Sequence, residues 1–135
     1  MDLLILGIKT ISNPVTLLWL VVGVIVGVIF GALPGVSATM AIVLCISFTY
    51  AMDPVVAIAF LAAVYCAAIT GGSITAILFK IPGTPSSAAT VLDGYPMVQR
   101  GEAGKALSIS LICSGIGGLF SAIIMFLLTQ PLMKM

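Results

Sequence analysis

Histidine is missing from this 135-residue sequence, and only nine side chains, five Lys or Arg and four Asp or Glu, carry a formal charge. Without histidine the usual general base and metal ligand are gone, and with them Ser/His, Cys/His and ordinary zinc chemistry. A net charge of +1 supplies no basic face with which to displace counterions from phosphates, which excludes nucleic acid as a partner. Soluble domains carry about a quarter charged residues; at 7% charged and a mean hydropathy of +1.35, a water-soluble globule is excluded too. Cysteine is sparse: Cys45, Cys66 and Cys113 stand far apart in apolar stretches with no CxxC spacing. All three are expected to be buried free thiols.

What remains is an integral membrane protein, expected to be all-α and polytopic, with about four apolar helical elements that include broken or re-entrant helices. The organisation expected is an interfacial segment over residues 1–13 followed by a transmembrane helical domain over 14–135. Residues 2–12 are apolar but too short to span, so they are expected to lie at the interface. The apolar run that follows Lys9 exceeds a signal-peptide core and is succeeded by more such runs, so no cleavage is expected.

Asn13-Pro14 is a helix opening: the asparagine accepts an orphan amide and proline has no amide to waste. From Val15 to Leu33 there is no charge, and the length of roughly 28 Å matches a hydrocarbon slab. Gly23, Gly27 and Gly31 fall on one face of this span, where another helix backbone can approach. Residues 36–50 cover only about 22 Å as a helix, leaving open a short span or a half helix. Asp53-Pro54 repeats the helix opening, residues 55–79 suffice to cross with tilt, and Gly71-Gly72-Ser73 inside them marks a kink or a close-packing point. Lys80 follows, able to snorkel. Residues 81–104 form the least apolar stretch and are expected to be a loop. Residues 106–130 make a last crossing element with Gly115, Gly117 and Gly118. The sequence ends soon afterwards without a polar tail, so the 135 residues are expected to be part of something larger.

Two places share a pattern. Leu33-Pro34-Gly35-Val36-Ser37-Ala38-Thr39 and Ile81-Pro82-Gly83-Thr84-Pro85-Ser86-Ser87-Ala88-Ala89-Thr90 each end an apolar run with Pro-Gly and open a segment rich in hydroxyls. Irregular backbone is tolerated in a membrane only where protein or a water-filled cavity satisfies it. Half-helix N-termini bear partial positive charge and unpaired amides that hold anions, while adjacent carbonyls and hydroxyls suit Na⁺. Gly35, Ser37, Thr39, Gly83, Thr84, Ser86, Ser87 and Thr90 are therefore the candidate substrate-binding residues, for a carboxylate, and Pro34, Pro82 and Pro85 the helix breakers. The plainer alternative is a surface loop with Thr84 capping Pro85. Asp93 is either half of an Asp-Gly turn or, if buried, a carboxylate that couples transport to Na⁺ or H⁺. No metal site is assigned beyond Na⁺ near Asp93, and no other cofactor is expected. Arg100, Glu102 and Lys105 form a boundary cluster.

Soluble motifs fail on inspection. Around Gly101 to Ala106 a phosphate loop would need glycine where Gln99 stands and Ser or Thr where Ala106 stands. Gly115-Ile116-Gly117-Gly118 follows no strand, so it is no dinucleotide fingerprint. Ser73 and Ser114 have no Lys or carboxylate partner in their own helices, which argues against an intramembrane hydrolase; no enzymatic activity is expected.

The string ILFKIPGTPSSAATVLDGYPMVQRGEAGKAL, preceded by GALPGVSAT, by Tyr50-Ala51-Met52-Asp53-Pro54 and by Gly71-Gly72-Ser73, resembles the TctA family, the large permease subunit of tripartite tricarboxylate transporters. The resemblance covers about Gly23 to Leu107. Pro34, Gly35, Pro82, Gly83, Thr84, Pro85, Asp93 and Gly94 match the family's motif positions. The family's usual Tyr-Gly pair is replaced by Cys66-Ala67, its aromatic by Thr70, and its proline before Phe48-Thr49 is absent. The resemblance implies a multi-pass protein of the bacterial inner membrane that imports carboxylates on a cation gradient. Its implied partners are a small membrane subunit, a periplasmic solute-binding protein, the remainder of the permease and the lipid bilayer. A non-transporting scaffold or degenerate fragment is the alternative. If 36–50 crosses fully, Lys80, Arg100 and Lys105 share one side and Lys9 and Lys134 the other, and the positive-inside bias puts the 80–105 region in the cytoplasm.

Overall fold

The computed structural model describes residue 7 and residues 11–132, with side chains to residue 129. Most of the expected interfacial segment, residues 1–6 and 8–10, and the last residues 133–135 lie outside the described residues. From Pro14 onward the described part consists of five helices and one short 3-10 turn: α1 Pro14–Ala32, α2 Ala38–Thr49, α3 Pro54–Phe79, the turn Pro85–Ser87, α4 Thr90–Gln99 and α5 Ala103–Leu132. No strand occurs among the described residues. Helices α1, α3 and α5 are long and apolar enough to cross a membrane, and α2 is a shorter apolar helix.

Both expected helix openings are present. Asn13 Oδ1 accepts from the Val15 amide at 3.1 Å, and Asp53 Oδ1 accepts from the Val55 amide at 3.0 Å. Ser37 caps α2 in the same way, its Oγ accepting from the Met40 amide at 3.2 Å. Each cap satisfies an amide that has no intrahelical partner.

The seam between α1 and α3 is built on glycine. A Cβ at Gly23 would lie 2.9 Å from the Phe60 carbonyl oxygen, one at Gly27 2.7 Å from Ala67 Cβ, and one at Gly31 2.6 Å from the Ala68 carbonyl carbon. From the other side, a Cβ at Gly71 would lie 2.6 Å from the Val28 oxygen. Positions rise together along both helices, so α1 and α3 run parallel. In lipid, burying apolar surface against another helix gains little, and close packing drives association; bare glycine faces supply it here.

Two parallel helices need a return, and α2 makes it. Ser37, which opens α2, lies beside Gly83 at the far end of the bundle, while Phe48, near its close, lies with Val15 and Asp53 at the near end. Between them Ala41 and Cys45 pack on Phe60 and Val64, flanked by Trp19, Val22 and Phe30, with the Trp19 ring edge-on to Phe60 at 5.8 Å. The stretch 36–50 therefore traverses the bundle rather than turning back on itself.

Three expectations need correction or refinement. Residues 81–104, expected as a loop, contain α4, because Gly94 lets its backbone lie on Ile77; a Cβ there would meet Ile77 Cγ1 at 2.7 Å. Gly71-Gly72 sits inside a continuous α3, so it is a close-packing point. Of the three cysteines only Cys45 is buried; Cys66 and Cys113 are exposed, because α3 turns Cys66 away from α1 and no described element covers α5 along residues 111–129.

Candidate functional site

Helix α1 stops at the level of Gly31, which meets α3 at Ala68, whereas α3 continues to Phe79. The space above the end of α1 is filled by the chain that follows α3. Lys80, at φ +60°, ends α3 in a left-handed turn, and the backbone doubles back along the helix it has just left. At Gly83 it is level with Gly72: the Gly83 amide donates to the Gly72 carbonyl at 3.4 Å, and a Cβ on Gly83 would lie 2.9 Å from Gly72 Cα and collide with the Gly31 carbonyl oxygen. Eight residues of helix separate Gly72 from Lys80, so the Pro-Gly break lies about 12 Å inward of the end of α3. The 3-10 turn and α4 then climb back, past Ile77 at Gly94, until the Lys80 ammonium lies 5.6 Å from the centre of the Tyr95 ring. Residues 81–99 form a re-entrant hairpin.

This return brings the two Pro-Gly breaks together. Gly35 and Ser37 from the first, and Pro82, Gly83, Thr84 and Pro85 from the second, line one open cleft of about 330 Å³. Gly35 is at φ +88°, a left-handed conformation that a side chain resists. No lining residue is ionisable. The polar character comes from the N-terminus of α2, where the Ala38 and Thr39 amides precede the intrahelical ladder, and from hydroxyls. Ser37 Oγ is an acceptor for Met40, and its proton is donated to no protein group among the described residues.

Behind the cleft wall is a hydroxyl knot. Thr84 is 3% and Ser87 1% exposed. Ser87 Oγ donates to the Thr84 carbonyl at 2.8 Å and accepts from the Thr84 amide and hydroxyl, both at 3.3 Å. Thr84 Oγ1 also lies 3.1 Å from Ser86 Oγ. Buried hydroxyls are costly unless paired, so this knot holds the break in a single shape. Thr75 Oγ1 donates to the Gly72 carbonyl at 3.1 Å, the acceptor that Gly83 also uses. Gly31, Gly72 and Thr75 were not among the candidates named from sequence, yet the break rests on them. The spacing of Gly72 and Thr75, one turn apart and next to Gly71, is the signal that could have found two of them.

The remaining candidates stand outside the lining. Pro34 is exposed at the first break, Thr39 is exposed on the first turn of α2, Ser86 is exposed beside the knot, and Thr90 is half-buried at the start of α4. Asp93 lies on the exposed side of α4. At the boundary Lys105 Nζ and Glu102 Oε1 are 3.5 Å apart and largely exposed, a pair worth about 0–1 kcal/mol. Among the described residues, no three His, Cys, Asp or Glu side chains gather where a metal ion could be held.

Comparison with known proteins follows the same lines. The chain is 38% identical over 127 residues, 94% of its length, to a curated protein of Agrobacterium vitis described as an uncharacterized 52.8 kDa protein in the TAR-I ttuC' 3' region. It spans a quarter of that relative's length. No solved structure matches it. The family model of the tripartite tricarboxylate transporter TctA family matches residues 17–135, from the start of α1 through both breaks and α5, and the chain belongs to that family of membrane transporter components.

Proposed function

We propose that this chain carries the N-terminal part of a permease that takes up carboxylates on a cation gradient, and that the cleft between the two breaks is where the substrate binds. One observation carries the reading: two breaks, remote in sequence, converge on a single uncharged cleft set inward of the end of α3. A carboxylate there accepts hydrogen bonds from the Ser37 hydroxyl and the first amides of α2, whose positive helix end favours an anion without any lysine. The oxygens of Thr84 and Ser86 offer a coupling Na⁺ the hard ligands it prefers, and Ser87, whose hydroxyl is fully engaged within the knot, holds them in place. Thr39 and Thr90 flank the cleft, and Asp93, exposed on α4 among the described residues, couples Na⁺ or H⁺ to movement once the remainder of the permease buries it. The chemistry is binding and release, with no covalent step and no further cofactor.

Because α2 traverses the bundle, Lys80, Arg100 and Lys105 fall at one end, and the positive-inside bias assigns that end to the cytoplasm of a bacterial inner membrane. The partners that go with this reading are a small membrane subunit, a periplasmic solute-binding protein and the remainder of a longer permease; membership of a tripartite transporter family supports them. Uptake of a radiolabelled carboxylate by cells carrying the complete transporter tests the site. Ser37→Ala is expected to lower uptake at least tenfold at unchanged membrane abundance, the loss of one charge-assisted hydrogen bond of about 1.5–3 kcal/mol. Unchanged uptake would remove the cleft from the transport path.

A further inference from the structure

The opposite end of the bundle holds a second hollow, which transport through the break cleft leaves unused. It has a volume of about 280 Å³ and lies between the first turns of α1 and α3 and the end of α2, with walls from Val15, Trp19, Phe48, Met52 and Val56. Asp53 is the only ionisable residue in its lining among the described residues.

Two observations fix its depth and its preference. Helices α1 and α3 begin side by side, each with a polar cap and a proline, Asn13-Pro14 and Asp53-Pro54. Polar caps need water or headgroups around them, so this level is an edge of the apolar slab. Trp19, Phe48 and the 87% exposed Tyr50 gather there, as aromatic side chains do at membrane boundaries. The hollow therefore opens at headgroup depth and continues inward along apolar walls. At its mouth, Asp53 commits Oδ1 to the Val55 amide, while Oδ2 makes no hydrogen bond among the described residues. A carboxylate and an indole in one lining favour a cation, and an anionic headgroup would meet a negative charge that no described residue of the lining offsets.

We propose that this hollow binds a phospholipid with a primary ammonium headgroup, of the ethanolamine type. The ammonium donates to Asp53 Oδ2 next to Trp19, and the upper acyl chain lies along Val15, Phe48 and Val56. Trp19 is the sole tryptophan of the sequence, so its fluorescence reports occupancy directly. The full chain is reconstituted into vesicles containing an equal mole fraction of acyl-brominated phosphatidylethanolamine, phosphatidylcholine or phosphatidylglycerol. Brominated phosphatidylethanolamine is expected to quench Trp19 with an apparent preference of about two- to fivefold over brominated phosphatidylglycerol, the size of one exposed ion pair. Brominated phosphatidylcholine, which cannot donate a hydrogen bond, is expected to quench less than the ethanolamine lipid. Asp53→Asn keeps the capping oxygen and removes the charge, and it is expected to abolish the preference with helical content unchanged. Equal quenching of the wild-type chain by all three lipids, or a preference that persists in the folded Asp53→Asn variant, would overturn the proposal. If that variant does not fold, the wild-type ranking of the three lipids decides alone.

Discussion

Replacing Gly31 by alanine sets two effects of opposite sign against each other. Alanine in place of a helical glycine stabilises by up to about 1 kcal/mol through backbone entropy. Against this, the new Cβ meets only backbone of α3, including the Ala68 carbonyl carbon at 2.6 Å. Ordinary contact begins near 3.4 Å, so the two helices must part by at least about 0.8 Å to clear the carbonyl carbon, and by more to clear the nearer Ala68 carbonyl oxygen, or shift register. No flexible side chain can yield instead. Overpacking of this kind costs about 1–3 kcal/mol, enough to outweigh the propensity gain. The matched control is Gly117→Ala, the same chemical change at a position where an added Cβ meets nothing within 4 Å. Unfolding in detergent micelles, followed by helical circular dichroism, is expected to place Gly31→Ala below the wild type and Gly117→Ala at or above it, with the two variants about 1–3 kcal/mol apart. Equal midpoints for the two variants would refute the claim that α1 and α3 associate through glycine-level contact.

Two further predictions address the surface and the hairpin. Cys66 and Cys113 are exposed and Cys45 is 4% exposed, so Cys66→Phe and Cys113→Phe are expected to leave the unfolding midpoint in detergent nearly unchanged and Cys45→Phe to cost about 1–3 kcal/mol by overpacking; a tolerated Cys45→Phe would displace α2 from its place against α3. Lys80 pays for its left-handed backbone with about 1–2 kcal/mol of strain, so Lys80→Gly is expected to be neutral or slightly stabilising despite loss of the contact with Tyr95. Lys80→Val, a branched side chain in the same conformation, is expected to melt lower than Lys80→Gly, and the reverse order would show that the hairpin does not turn there.

Much of this architecture was already written in the chain. Lack of charge over the long apolar runs dictates helices in a bilayer, because backbone groups have no other partner there. Asn13-Pro14 and Asp53-Pro54 mark two helix starts through their own local chemistry, and Pro34-Gly35 and Pro82-Gly83 mark where helices must stop. These are properties of neighbouring residues, so they survive without knowledge of the fold. Tertiary structure decided what the faces meet. Gly23, Gly27 and Gly31 pack on α3 while Gly115, Gly117 and Gly118 meet nothing within 4 Å, although both groups have the composition of a packing face. Hydropathy cannot separate a surface that meets another helix from one that meets lipid, since both are apolar; for the same reason Cys66 and Cys113 read as buried and are exposed. The depth of the second break was likewise hidden, for it depends on Gly83 finding Gly31 and Gly72, contacts between residues 11 to 52 positions apart in the sequence. A Pro-Gly pair ends a helix wherever it occurs, but only the packing of three bare backbones determines that the chain then turns inward and meets the other break.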